Sequence, residues 1–422
     1  MSNEKKLIPE LRFPEFNGKP TWEEKKLSKV LFEHGQKSEG NEEIFSVSVH
    51  KGVINQIEHL GRRFAASNTD NYKRVLPGDV IYTKSPTGEF PYGIIKQSQI
   101  SNPVIVSPLY AVFTPETIWL GLILDAYFEY PQRTINYLSS IIQKGAKNTI
   151  NIRNDVFLSK SLILPSDRKE QKKIANCLSS LDQLIAAHND KLGALKDHKK
   201  GLMQNLFPQE GETVPKFRFK EFEKDGEWEP KPIEEVFSIF QGYAFSSKDS
   251  VSSGTRWLKI ADVGIQEMKH DTPSYLPETY KDEYQRFLLK KGDYVLALTR
   301  PILSMKLKIA RVDETYHNSL LNQRVGKLVT SNVNSFVYYL IQTSSIVESI
   351  SRNIAGNEPP NLSFQQISDI VVFIPKEKTE QQKIASCFST LDELISAQTE
   401  KIEQLQQHKK GLMQGLFPKI ES

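Results

Sequence analysis

The sequence predicts an α+β protein built as a tandem repeat, with two mixed α/β domains separated by two long helices that pair as a coiled coil. Three observations carry this expectation. A stretch from Pro165 to Pro208 returns at Pro375 to Pro418, an offset of 210 residues. Its apolar residues recur with the period of a coiled-coil seam. The segments between the copies alternate short β-type runs with turn residues.

The repeat is dense. "EQKKIANCLSSLDQLIAAHNDKLGALKDHKKGLMQNLFP" faces "EQQKIASCFSTLDELISAQTEKIEQLQQHKKGLMQGLFP", and the run from His198 to Gln204 returns unchanged from His408 to Gln414. Ile174, Leu181, Leu195 and Leu202 share one heptad position, and Leu178, Ile185 and Leu192 share its partner. The second copy answers with Ile384, Leu391, Leu405 and Leu412, and with Phe388, Ile395 and Ile402. One polar residue interrupts each seam, His188 and Gln398. Prolines bracket both helices, as expected where a helix cannot extend. Core filling alone does not explain why residues read as surface positions, Lys199, Lys200 and Gln204, also repeat. Two equal binding faces for a partner bound twice would explain it. A helix of about 40 residues spans ~60 Å and would serve as a stiff spacer.

A weaker repeat precedes each domain. "PELRFPEF" at Pro9 to Phe16 matches "PKFRFKEF" at Pro215 to Phe222, and Trp22 matches Trp228. Each tryptophan opens a short amphipathic stretch, Leu27, Val30 and Leu31 in one copy and Ile233, Val236 and Phe237 in the other. Residues 209–215 read as the linker between halves, with Pro208, Gly211 and Pro215 as breakers.

The two intervening domains, about 20–160 and 228–370, share punctuation but not sequence. "GDVIYTKS" (Gly78 to Ser85) and "GDYVLALTRP" (Gly292 to Pro301) both read as turn, strand and loop. Val104 to Phe113 and Leu320 to Val329 are later strands, and Trp119 to Gln143 and Asn334 to Asn353 are helices. A glycine-containing loop and a last strand close each domain, "SLILP" and "VVFIP", with Asn151 and Asn361 at equivalent positions. Basic and amide side chains gather in the loops: Arg62, Arg63, Lys84, Ser85, Lys144, Lys147 and Asn148 in one domain, and Arg300, Lys306, Lys308, Asn357 and Asn361 in the other. Such groups bond phosphates and base edges. For any one of them a solvated surface charge is the commoner explanation, so the clustering carries the reading.

The chain has 422 residues, of which 38% are hydrophobic and 25% charged, enough for two or three ordinary domains at roughly 100–200 residues each. Net charge is +4 and the pI about 8.7, so any nucleic-acid surface must be local. Two cysteines, Cys177 and Cys387, make a secreted disulfide framework unexpected. The leading residues show no signal-peptide core, and the most apolar run, near Ile118 to Ala126, falls well short of the roughly 20 residues of a membrane span. A cytoplasmic protein is expected. Catalytic signatures are absent. There is no Walker A loop and no Asn-Pro-Pro-Tyr/Phe element; "EPPN" at Glu358 to Asn361 is a poor imitation. No Cys-x-x-Cys or histidine cluster suggests a metal, since His34, His50, His59, His270 and His317 are scattered. His198 and His408 sit on basic helix ends, where a positive charge complements the C-terminal dipole.

The two helical repeats, the "RF(P/K)EF…W" segments and the "GD…T(K/R)" turns together resemble the specificity subunits of type I restriction-modification systems, over nearly the whole chain. The resemblance implies a pseudo-two-fold arrangement: N-terminal target-recognition domain 1–164, central helix 165–208, C-terminal target-recognition domain 209–374 and C-terminal helix 375–422, the helices forming an antiparallel coiled coil. It implies sequence-specific binding of double-stranded DNA at a bipartite site with a fixed spacer. Two methyltransferase subunits and up to two motor-nuclease subunits would dock on the scaffold. The docking side chains would include Leu181, Ile185, Leu192, Leu195, Lys199 and Lys200, with Leu391, Ile395, Ile402, Leu405, Lys409 and Lys410 in the second copy. The chain itself would be non-catalytic, would bind no cofactor or metal directly and would have no membrane partner. S-adenosylmethionine would belong to the methyltransferase, and ATP and Mg to the motor-nuclease. Two further readings stay open at this point, a stand-alone DNA methyltransferase or nuclease and a coiled-coil adaptor without DNA binding. The second "GD" strand is longer than the first, which leaves the pairing of Lys84 with Arg300 open.

Overall fold

The computed structural model describes residues 7–60, 69–144, 150–354, 356 and 359–418. The chain divides into two compact units, Met1–Asp190 with Glu400–Ser422, and Lys191–Thr399. The divisions fall inside the two long helices, Arg168–Asn205 and Lys378–Leu416. Each unit therefore holds one globular domain and a piece of both helices.

The first unit is closed by its own ends. The strand that follows Trp22, Glu23–Lys26, pairs antiparallel with Ser161–Leu164, so the start of the domain lies beside its exit into the long helix. Between them runs a four-stranded antiparallel sheet in the spatial order Leu31–Glu33, Ala111–Pro115, Val80–Tyr82, Ile95–Gln97. The central strand Val80–Tyr82 is buried on both faces, as its unbroken apolar run requires. The run 104–113 is two strands. Val104–Val106 pairs with Lys73–Val75, and Ala111–Pro115 enters the main sheet. Pro108 lacks a donor for a ladder, and Tyr110 closes the turn by donating to the Ser107 carbonyl. The expected helix 119–143 is likewise two helices, Ile118–Phe128 and Pro131–Leu138. Tyr130 stands extended (φ −90°, ψ 113°) because the residue before a proline is pushed out of the helical region.

The second unit repeats this plan. Glu229–Pro232 pairs with Val371–Ile374, and the sheet runs Ser238–Gln241, Val325–Val329, Tyr294–Ala297, Ile309–Arg311. Numbered along the chain, both sheets have the spatial order first, fourth, second, third. Here too the run 320–329 is split, at Asn322, whose side chain accepts from the Arg324 amide. Leu320–Leu321 pairs parallel with Trp257–Leu258 instead of joining the main sheet. The helix expected over 334–353 breaks into Asn334–Leu340 and Ser344–Asn353. Thr343 is extended there, and both its amide and its hydroxyl donate to the Leu340 carbonyl at the helix end.

The long helices pack antiparallel inside each unit. In the first, Ile174, Ala175 and Leu178 share a core with Met413, Leu416 and Phe417. In the second, Ile384, Ala385 and Phe388 share one with Leu206 and Phe207. The expected seam is inward: Leu181, Leu391, Ile402 and Leu405 are buried, and Ile185, Leu192, Leu195 and Ile395 are half-buried.

Candidate nucleic-acid interface

The repeated motifs are largely consumed in tying each domain to the long helices. Arg12 forms a two-pronged ion pair with Glu170, Nε to Oε1 and Nη2 to Oε2 both at 2.8 Å, and Trp22 Nε1 donates to the same carboxylate at 3.1 Å. In the second unit Arg218 and Glu380 form the same fork at 2.7 Å on both prongs, with Trp228 Nε1 at 3.2 Å. The hydrogen bond that Arg12 donates to Glu170, opposed by burial, raises the Arg12 pKa, and the bond to Glu380 does the same for Arg218. Trp22 meets Phe417 edge-on with centroids 6.2 Å apart, and Trp228 meets Phe207 at 6.3 Å. Leu11 donates its amide to the Gly415 carbonyl, and Phe217 to that of Asn205, both at 2.8 Å. The arginine, the tryptophan and the glutamate at the head of each helix are therefore one latch, made twice.

The "GD" turns are equally alike. Gly78 and Gly292 both take positive φ, +86° and +93°. Asp79 accepts the Leu76 amide at 2.7 Å, and Asp293 the Lys290 amide at 2.9 Å. Each turn feeds the central strand of its sheet, and at the far end of that strand a threonine is followed by a residue in the left-handed region, Lys84 (φ 58°) in one unit and Arg300 (φ 48°) in the other. The structure thus assigns Lys84 and Arg300 to corresponding positions, despite the longer second strand.

Around Arg300 the second unit gathers the predicted side chains. The Arg300 amide donates to the Pro360 carbonyl at 2.7 Å, and the Thr299 hydroxyl to Asn361 Oδ1 at 2.7 Å. Lys306 and Lys308 lie on the next turn, a hairpin of Ile302–Leu303 with Lys306–Leu307. Burial, together with the neighbouring Lys269, lowers the Lys308 pKa. An open hollow of ≈ 650 Å³ adjoins this strand end, lined by Gln241, Leu298, Asn361, Ser363 and Gln366 among others. Asn357 lies outside the described residues.

In the first unit the corresponding end carries Lys84 and Ser85, whose hydroxyl donates to the Thr83 carbonyl. Burial and Lys73 lower the Lys84 pKa. Gly93 packs against this turn so closely that a Cβ there would lie 2.8 Å from the Lys84 nitrogen. Arg62, Arg63, Lys147 and Asn148 lie outside the described residues. Lys144 is described only as backbone, in a short strand paired with Ile150–Asn151. Lys73 and Lys269 were missed by sequence reading. Each stands beside its target only because the fold brings distant segments together.

The helix face requires a correction. Lys199 and Lys409, expected at the surface, are turned inward. Lys199 Nζ sits 2.5 Å from Asp392 and 2.7 Å from Gln266 Oε1, and Lys409 Nζ sits 2.5 Å from Asp182 and 2.7 Å from Glu129. The seam itself carried the signal, since Lys199 continues the spacing of Leu178, Ile185 and Leu192. A lysine on a seam stays inside when an acid faces it, and the facing acid is set by helix register. Lys200 and Lys410 remain exposed, with His198, Gln204, His408 and Gln414. Beside them Gly201 and Gly411 lie in mid-helix with nothing within 4 Å of where a Cβ would stand.

The family model of the type I restriction modification DNA specificity domain matches residues 225–407. The MjaVIII specificity subunit of a type I restriction enzyme from Methanocaldococcus jannaschii is 31% identical over 300 residues, 68% of each chain. The EcoAI specificity subunit from Escherichia coli is 28% identical over 179 residues, 42% of this chain and 30% of the relative. The type I restriction-modification S subunit from M. genitalium shares the fold at TM-score 0.62, with 13% identity over 98% of this chain and all of that one. The chain belongs to the type I restriction enzyme specificity subunits. Among the described residues no acidic, histidine and cysteine group could hold a metal ion, and no helix is long and apolar enough to cross a membrane.

Proposed function

We propose that this chain is the non-catalytic DNA-reading subunit of its restriction-modification complex, each unit reading one half of a bipartite duplex site. The observation that carries the reading is the contrast at corresponding positions. The latch, the GD turn and the sheet order are the same in both units, while the loops after Lys84 and Arg300 differ. A common frame with different side chains at the strand ends suits two different half-sites. Arg300, Lys306 and Lys308 would supply phosphate contacts and salt-dependent affinity, and Asn361 a base-edge contact; in the first unit Lys84 and Ser85 would act likewise, joined by Arg62, Arg63, Lys144, Lys147 and Asn148. Asn357 would stand with Asn361.

Two methyltransferase subunits would dock on the helix faces, with up to two motor-nuclease subunits joining them. The exposed, twice-repeated His198, Lys200 and Gln204 with Gly201, and their counterparts at His408 to Gln414, support one partner bound twice. S-adenosylmethionine, ATP and Mg would be the partners' cofactors. Each long helix belongs to both units, so its length would set the spacer between half-sites. The site of action would be the cytoplasm.

The test is to exchange residues 20–160 for the equivalent domain of another specificity subunit and sequence the methylated positions of host DNA. One half-site should change and the other should stay. An unchanged methylation pattern would sink the proposal.

A further inference from the structure

The hairpin after Arg300 is built in a way that folding does not require. Its base is anchored, with Ile302 facing Leu307 across the ladder and both packed on the core of the second unit. Its tip is not. Leu303 and Met305 are 58% and 54% exposed. The two central residues of the turn, Ser304 and Met305, both take positive φ, 49° and 57°. That is the turn geometry in which asparagine and glycine are the ordinary residues, because a Cβ is disfavoured there. A long apolar side chain is thus held in water in a strained backbone position, a combination that points to a use outside the fold.

The surroundings identify the occupant. Arg300, Lys306, Lys308 and Lys269 gather at the hairpin, and among the described residues none of them has a carboxylate partner. The Thr299–Asn361 pair lies at the same strand end. Cations without a carboxylate partner among the described residues, flanking a projecting apolar tip, complement a molecule with an anionic exterior and a stacked apolar interior, which is duplex DNA. The corresponding loop of the first unit is different: it carries Pro86, Thr87, Gly88 and an exposed Glu89, and its one large apolar residue, Phe90, is only 4% exposed.

We infer that Leu303 and Met305 enter the DNA as an apolar wedge that unstacks one base step in the half-site of the second unit, while Arg300 and Lys306 hold the flanking phosphates. This rests on the DNA-reading role proposed above. Among the described residues the corresponding loop of the first unit has no such tip, so the two half-sites would be bound by different mechanics as well as by different side chains.

The full-length chain alone is used to select duplexes from a randomised pool, and 2-aminopurine is then placed singly at each adenine position of the selected duplex. Fluorescence should rise at one step of one half-site. Leu303→Ser with Met305→Ser should abolish that rise and weaken binding about tenfold or more. Ser304→Asn with Met305→Gly guards against misfolding, because it installs the favoured turn residues. It should keep or raise Tm and still lose the fluorescence. Wild-type fluorescence in both variants, or no responsive step in the wild type, overturns the wedge while leaving sequence reading intact. Failure of the wild-type chain to enrich any sequence overturns the reading role, and the wedge with it.

Discussion

The two strand ends of this molecule, after Tyr82 and after Ala297, are reached by the same route and finish differently. Both begin at a left-handed glycine and an aspartate-closed turn, run through the centre of an identically ordered sheet, and emit a left-handed cationic residue. Beyond that point one end is a polar turn pinned by Gly93, and the other a hairpin with an apolar tip. The difference teaches where change is cheap. Residues that hold the frame have several partners apiece and cannot be altered singly, whereas loop residues beyond the last ladder bond answer only to what they touch outside the chain.

If the frame is truly common, the latch must matter equally in both units. Glu170→Ala and Glu380→Ala each strand a nearly buried arginine and remove the acceptor of a buried tryptophan. Breaking a buried pair from one side costs about 3–5 kcal/mol. Each variant should lower the urea midpoint by a comparable amount, and intrinsic tryptophan fluorescence should follow its own unit. A large inequality between the two would break the comparison at its base.

The long helices, the domain count and the GD turns were legible because they are local: a heptad period, a glycine before an aspartate, a proline at a helix edge. The latch was visible only as a matched pair of motifs. Its chemistry joins Arg12 to Glu170 across most of a domain, and no periodicity records such a contact. Residues 104–113 and 320–329 each looked like one strand because apolar runs do not show a change of sheet. Lys199 was misjudged from residue type, although its seam spacing was plain. Among the described loop residues, the fold draws Arg300, Lys306, Lys308 and Asn361 to one strand end, a grouping that depends on tertiary contacts and has no local period to record it.

The inward lysines sharpen the comparison by being unequal. Lys199 has one carboxylate partner and an amide, while Lys409 bridges Glu129 and Asp182. Lys409→Met should therefore cost more than Lys199→Met, though only about 1–2 kcal/mol, since the part-exposed Glu129 and Asp182 can turn toward solvent once the lysine is gone. The pH dependence separates the two. Burial pushes the Glu129 carboxyl up, but Lys96 and Lys409 outweigh it and leave its pKa below the ordinary glutamate value. A depressed folded-state pKa contributes stability that is full above the unfolded value, about 4.3, and is lost as pH falls through the folded one. Lys409 favours the charged form of Glu129 and also of Asp182, whose pKa burial leaves raised, so the stability that Lys409→Met loses relative to the wild type should be largest above about pH 4.3 and should shrink as pH falls and both carboxyls are protonated, while the gap for Lys199→Met should change less. Circular dichroism during acid titration reads both.

The smallest expected effect discriminates best between frame and surface. Gly201 and Gly411 occupy helix interiors, where glycine costs roughly 0.5–1 kcal/mol relative to alanine, and nothing in either unit crowds a Cβ at these positions. Judged by the chain alone, Gly201→Ala and Gly411→Ala should each stabilise it by about that amount, seen as a small rise in Tm. Judged by the exposed His198, Lys200 and Gln204 beside Gly201, and their copies beside Gly411, the missing Cβ keeps the backbone open to close approach by a partner. The two views separate in one experiment. A docking face predicts a more stable chain that assembles more weakly with its methyltransferase subunits, by about the same factor for either glycine. A solvated face predicts the same gain in Tm with assembly unchanged, and the repeat of these residues would then have to be explained by the frame after all.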